Sequence, residues 1–240
     1  MSESLDRPID VPQLTAEEIL ARVLHRDGLM LVIDKPAGLP VHRGPKGGPN
    51  LEASFDALRF GLPRPPVLAH RLDKDTSGCL VLGRHRKATA SLGLLFKHGK
   101  ISKTYWAIVE GGPAGDEGAI DMPLGRLNAE RGWWQKVDPE GQQAVTNWKV
   151  MGRGEGLTWL ALEPVTGRTH QLRVHSSAQG WPIFGDNIYG NGPRFGEPRL
   201  HLHSREIGIP ISKNKEPVRV VAPAPEHMRE RLRACGWNGE

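Results

Sequence analysis

Hydrophobic and polar positions alternate along this chain in short, dissimilar blocks, which predict many strands and few helices. Thr15-Ala16-Glu17-Glu18 has the form of a capping box and is followed by Ile19, Leu20, Val23 and Leu24. This predicts a short helix passing into a strand near Val23. Residues before about Asp10 carry no such pattern and are expected to form a mobile tail. Gly28-Leu29-Met30-Leu31-Val32-Ile33 is a continuous apolar run, too short for a helix and typical of a strand buried on both faces. It stops at Lys35-Pro36-Ala37-Gly38-Leu39-Pro40, a turn dense in Pro and Gly. Leu51 to Phe60 reads as a short helix, Cys79 to Leu82 as a second buried strand, and His85 to His98 as a helix with Leu92, Leu95 and Phe96 apolar. Over Lys103 to Val109 a strand places Tyr105 and Ala107 on one face and Trp106 and Ile108 on the other.

Ala119 to Val150 predicts antiparallel hairpins, with Asp138-Pro139-Glu140-Gly141 as a turn, and Thr158 to Leu162 a strand closed by Glu163-Pro164. Thr169 to Gly180 has helical spacing of Leu172, His175 and Ser176, with Thr169 as N-cap and Gly180 near the C-cap. Leu200 to Ile209 and Val218 to Val221 read as strands, and Glu226 to Ala234 as a charged terminal helix. There is no internal repeat and no obvious linker. Hairpins mixed with helical crossovers argue for an α+β fold on a mixed sheet rather than a doubly wound parallel one.

The 240 residues suffice for one sizeable core or two modest lobes. A hydrophobic fraction of 38% and a mean hydropathy of −0.43 describe a globular chain. No apolar run approaches the ~18 residues of a membrane span. The first residues, Met1-Ser2-Glu3-Ser4-Leu5-Asp6, lack the basic start and apolar stretch of a signal peptide. Two cysteines, Cys79 and Cys235, make neither a disulfide framework nor a zinc-type pair. A reduced, cytoplasmic protein is expected. Lys plus Arg is 32 against 27 for Asp plus Glu, a net charge of +5 that leans weakly toward a polyanionic partner.

Two clusters carry candidate chemistry. His70-Arg71-Leu72-Asp73-Lys74-Asp75-Thr76-Ser77-Gly78 gathers two carboxylates, two cations and two hydroxyls on a loop ahead of a strand, where catalytic groups tend to sit. Taken alone, such a loop is more often a solvated polar turn. Thr166-Gly167-Arg168-Thr169-His170-Gln171-Leu172-Arg173-Val174-His175 presents donors suited to an anion at a helix start, or equally a charged outer helix face.

Together these segments resemble the RluA-type pseudouridine synthases. The first cluster is similar to that family's catalytic-Asp motif and the second to its other signature. Lys35 to His42, Lys103-Thr104-Tyr105-Trp106-Ala107 and Pro182-Ile183-Phe184-Gly185-Asp186 fall in the expected order, and the similarity runs from about Leu24 to Pro223. The resemblance implies the family's catalytic-domain fold, α+β with a mixed, mostly antiparallel bent sheet, flanking helices and a central cleft. It divides the chain into a tail and short helix (1–22), a catalytic domain (23–225) and a C-terminal helix and tail (226–240). It implies isomerisation of uridine to pseudouridine in rRNA or tRNA. The bond from the sugar to ring nitrogen breaks, and a bond to ring carbon 5 replaces it. That chemistry needs no cofactor, and the sequence has no phosphate loop, dinucleotide fingerprint or H-E-x-x-H motif.

The resemblance assigns Asp73 as the essential carboxylate, acting on the base or sugar as nucleophile or stabilising charge. Either role needs its ionised form and so a cation nearby. Arg173 matches the family arginine that pairs with it, and Tyr105 the tyrosine beside the target base. Arg71 matches the arginine associated with extruding the nucleotide, a step that costs a few kcal/mol. Asp75 is assigned a structural role, such as a turn hydrogen bond. Arg43, Lys74, Arg86, Lys87, Lys103, Arg168, His170 and Gln171 are the RNA-binding candidates, with Lys46, Arg84 and Lys100 as further basic neighbours. Trp133-Trp134 is a stacking pair or a lid on the core.

Two other function classes compete. An RNA-binding or remodelling protein on the same fold would not need Asp73, Tyr105 and Arg173 together. A metal hydrolase is suggested by His201 and His203 on one strand face with His70, Asp73 and Asp75, but the resemblance places no metal there. The short N-terminus leaves no room for the small RNA-binding domain that many members carry. A monomer that recognises a compact stem-loop through its own loops is therefore expected, with no membrane or metal partner.

Overall fold

The computed structural model describes residues 11–44, 47–128, 133–212 and 215–239. In chain order it forms α1 (Ala16–Leu20), β1 (Val23–Arg26), β2 (Met30–Lys35), a 3-10 helix (Glu52–Leu58), β3 (Val67–Leu68), β4 (Ser77–Gly83) and α2 (Arg86–Lys97). Then come β5 (Ser102–Glu110), β6 (Glu117–Asp121), β7 (Leu124–Arg126), β8 (Gln135–Val137), β9 (Val145–Gly154) and β10 (Leu157–Pro164). The chain closes with α3 (Gln171–Ala178), β11 (Leu202–Ile209), β12 (Val218–Val221) and α4 (Glu226–Ala234). Strands predominate and their described pairings are antiparallel, as an α+β fold requires. The described residues divide into two compact units, one holding Lys103–His203 and 224–239, the other 11–102 and Ser204–Pro223.

In the Lys103–His203 unit, strands run in the order β5-β10-β9-β6. The alternation along β5 sorts its side chains between two cores. Ala107 and Val109 join Leu160, Leu162, Leu172 and Trp181 on one face, with Tyr105 packed against them. Trp106 and Ile108 join Trp159, Met228 and Leu232 on the other. Met228 and Leu232 belong to α4, so the terminal helix is part of this unit's core. Its end lies so close to β9 that a Cβ on Gly152 would stand 1.8 Å from the Cys235 carbonyl oxygen. A small sheet of β7 and β8 completes the unit.

In the other unit the order is β1-β2-β4-β11, with β12 on β11 and β3 on β4. The continuous apolar run near Met30 and the whole of β4 are buried, as expected of strands covered on both faces. Met30, Val32, Cys79, Val81, Leu92, Ile207 and Ile209 form the core. The capping box of α1 is closed at both ends, with Glu18 N donating to Thr15 Oγ1 and Thr15 N to Glu18 Oε2.

The short helix expected from Leu51 forms as a 3-10 helix. Two local expectations change. β10 continues through Glu163-Pro164 instead of closing before it. Thr169 does not cap α3, because His170 takes the cap position in a left-handed conformation (φ 53°) with no side-chain cap, and the helix starts at Gln171. The segment before Asp10, Lys46 and Arg131 lie outside the described residues.

Candidate active site

Asp73 stands on a short loop held at both ends by buried structure. Upstream, His70 stacks on Phe96 at 4.1 Å, and its Nε2 accepts a hydrogen bond from Val81 N. Leu72 is buried, and so are Thr76 and Ser77, the last of which begins β4. Thr76 N donates to Asp73 O at 3.2 Å and closes the turn. Asp73 is half-buried between these anchors, while Arg71 and Lys74 on either side are exposed.

Beneath this loop lies Lys35, fully buried at the end of β2. Its ammonium donates to three carbonyls, Pro36 O at 2.9 Å, Lys74 O at 2.8 Å and Thr76 O at 2.9 Å. Three N–H groups meet three acceptors, so the cation is fully satisfied and two of its bonds grip the Asp73 loop. Gly38 N donates to the same Lys74 carbonyl at 2.9 Å, tying the Pro- and Gly-rich turn to the loop. Burial pushes the Lys35 ammonium down to about 7, against the opposing pull of Asp75, Asp73 and Asp34. Asp75 is the largest of these opposing charges, and its carboxylate takes no hydrogen bond among the described residues, so the expected turn bond is not formed there. Asp34 is pushed up to about 6 by burial, opposed by Arg22 and Lys35.

The second cluster is built on α3 in the other unit. Arg173 is buried and forms a two-pronged pair with Asp186, Nε to Oδ2 at 2.8 Å and NH2 to Oδ1 at 2.7 Å. Asp186 Oδ1 also accepts from Ile188 N at 2.9 Å and Tyr189 N at 3.1 Å. Burial drives this carboxyl upward, but the Arg173 pair and the two amides together outweigh it and hold it below the ordinary carboxylate range. Arg173 is thus set in a fixed direction by a partner within its own unit.

Gln171 and His170, expected to meet RNA, are engaged with the chain itself. The Gln171 Oε1 accepts from Thr166 Oγ1 at 2.7 Å and Arg168 N at 3.0 Å, while its Nε2 donates to Val145 O and Thr146 Oγ1. It braces the turn before α3 and has no group left for a ligand. His170 is buried, with Nδ1 2.8 Å from the Tyr189 hydroxyl, itself an acceptor from Gln135 N. Exposed Trp133 meets the His170 ring edge-on at 5.4 Å. Arg168 is exposed and donates through Nε to Gln143 O.

Tyr105 is half-buried on β5, opposite Leu162, with Lys103 on the same strand face. Arg43, Arg86 and Lys87 are exposed, as an RNA-tracking role requires. Arg84 is instead bound to the carbonyls of Asp27 and Phe60. Among the described residues no three His, Cys, Asp or Glu side chains come together as a metal group. His201 turns its Nδ1 to the Arg199 carbonyl at 2.7 Å. Lys35, Asp186 and Tyr189 were not expected as site residues. Lys35 and Asp186 lie within family-like segments, but nothing local marks either side chain as buried.

Comparison with known proteins identifies the family of the chain. Residues 29–178 match the family model described as RNA pseudouridylate synthase. An uncharacterised RNA pseudouridine synthase of Zymomonas mobilis is 43% identical, over 85% of this chain and 94% of its own. The ribosomal large subunit pseudouridine synthase C of Vibrio parahaemolyticus is 32% identical, over 90% of this chain and 69% of its own. Among solved structures, human RNA pseudouridylate synthase domain containing 4 superposes with a TM-score of 0.76 at 29% identity, covering 91% of this chain and 95% of that one.

Proposed function

The chain belongs to the RNA pseudouridylate synthase family and is an RNA isomerase; from that premise we propose that Asp73 is the carboxylate on which its reaction turns. The observation that carries this is its mounting: a half-buried acid between buried anchors, on a loop gripped from below by the Lys35 ammonium. A carboxylate on an anchored loop near a buried cation suits a step that needs the ionised form, whether Asp73 attacks the nucleotide or balances charge on it. Asp75, the other acid of the loop, exerts the largest opposing charge effect on that cation and is the weaker candidate, since it lies outside the matched positions of the motif.

Tyr105 and Arg173 are proposed as its companions, on their match to the family's motifs. The fixed guanidinium of Arg173 suits a group that meets a carboxylate. The substrate is proposed to be structured RNA. The similarity to a ribosomal large subunit enzyme supports ribosomal RNA as the first to try, with transfer RNA as the second.

The test is tritium release from unmodified RNA labelled at uridine carbon 5, where the new bond to the sugar displaces the hydrogen. Wild type is run beside Asp73→Asn. Asp73 is half-exposed, so the variant should fold, bind RNA and lose activity by at least about 1,000-fold. Equal release by both proteins would remove Asp73 from the role. No release from either RNA, with binding intact, would favour an RNA-binding role without turnover.

A further inference from the structure

Among the described residues no anion pairs with Lys103. It sits on β5, two residues before Tyr105 and on the same strand face. Burial alone lowers the affinity of its amine for a proton, with no carboxylate opposing that effect. No hydrogen bond or ion pair joins it to any described residue. Charged side chains taken out of water are ordinarily paired, because desolvation is otherwise uncompensated. The amine is also placed with care: a Cβ on Gly167 would lie 3.8 Å from Lys103 Nζ, so the ammonium stands over the bare backbone of that turn.

The turn is rich in unused donors. Arg168 N is bound to Gln171, but the amides of Gly167 and Thr169 have no acceptor among the described residues. Both residues are exposed, as is Arg168, which spends only its Nε on Gln143 O. The Gln171 brace holds the turn rigidly to Val145 and Thr146, so these donors are fixed before any ligand arrives. One ammonium, one guanidinium and two free amides in a braced turn match the acceptor oxygens of a phosphate.

We propose that Lys103 and the Gly167–Thr169 turn form a seat for one backbone phosphate of the substrate RNA, on the strand face that carries Tyr105. This rests on the RNA isomerase reading and adds to it the group that receives the strand. A phosphate there supplies the anion that the described residues do not, and offsets the cost of burying the Lys103 ammonium.

The experiment measures affinity for unmodified transcripts of large-subunit ribosomal RNA and of transfer RNA by filter binding from 50 to 300 mM salt. Wild type, Lys103→Gln and Lys103→Arg are compared, and the same transcripts carry the carbon-5 label so that turnover is read separately. Lys103→Gln should weaken binding roughly 5- to 10-fold at low salt and flatten the slope of log affinity against log salt by about 0.7 to 0.9, the loss of one phosphate contact. Lys103→Arg should keep the wild-type slope. If Lys103→Gln melts below wild type, Lys103→Met, which keeps the aliphatic stem packed, replaces it. An unchanged slope in a folded, charge-removing variant would overturn the proposal. Absence of tritium release by wild type would count against the isomerase reading instead, because binding is measured without turnover.

Discussion

Replacing Asp186 by Asn isolates the interaction that fixes Arg173. The substitution keeps the shape and, through Oδ1, the acceptor for the Ile188 and Tyr189 amides. It turns Oδ2, the acceptor for Arg173 Nε at 2.8 Å, into an NH2 that faces a donor. The pair is 3% exposed on the arginine side and 0% on the aspartate side, so water cannot take over. Removing one partner of such a pair costs about 3–5 kcal/mol. A chain of this size loses roughly 2–4 °C of melting temperature per kcal/mol, so a drop of about 10 °C is expected. The sign with pH follows from the lowered carboxyl. The contribution of Asp186 is complete above its unfolded value near 3.8 and is lost as pH falls through the still lower folded value. The gap between wild type and variant should therefore be full at pH 7 and narrow only in strong acid. Urea titrations followed by tryptophan fluorescence at pH 7 read the difference. A destabilisation below about 1 kcal/mol would refute the reasoning, because Arg173 would then not depend on this carboxylate.

Two further outcomes follow from buried groups. His201 is 2% exposed, and burial pushes it down to about 4, with His227 and Arg231 adding to the shift and the Arg199 carbonyl and Glu197 opposing it. Between the unfolded value of 6.5 and that folded value the unfolded chain binds the extra proton, so stability present above pH 6.5 is lost as pH falls toward 4, by roughly 3 kcal/mol. Urea midpoints at pH 7.5 and 4.5 should diverge less in His201→Leu than in wild type, and equal divergence would exclude His201 as the source. Lys35→Met removes a donor from the Pro36, Lys74 and Thr76 carbonyls, of which Lys74 O keeps its bond from Gly38 N. At about 1 kcal/mol or more per orphaned group, the Asp73 loop should loosen. Hydrogen exchange at the Gly38 and Thr76 amides should accelerate and turnover should fall at least 10-fold, whereas unchanged exchange would show that the loop holds without the cation.

What the sequence revealed and what it hid divide along the range of the interactions. The alternation along β5 and the span of α4 depend on neighbours a few residues apart, and both are as the pattern predicts. The start of α3 is not. Thr169 has the chemistry of an N-cap, but Gln171 has already tied the turn to Val145 and Thr146, more than twenty residues upstream, and His170 adopts the left-handed cap position. A local capping rule cannot weigh a brace formed across strands.

The same limit applies to the site. The proposed residues Asp73, Tyr105 and Arg173 are read from motifs, whereas the groups that hold the Asp73 loop and Arg173 have no such mark. Lys35 looks like a turn lysine beside a proline, and its burial depends on carbonyls about forty positions away. Asp186 reads as an ordinary loop acid until it is set against Arg173, thirteen residues back. Both supports are buried charges whose cost is met only by partners distant in sequence, so each becomes visible when the fold brings donor and acceptor together. Lys103 differs from both. Its cost is met by no described side chain of the protein, and that imbalance points outward, to an anion that arrives with the RNA.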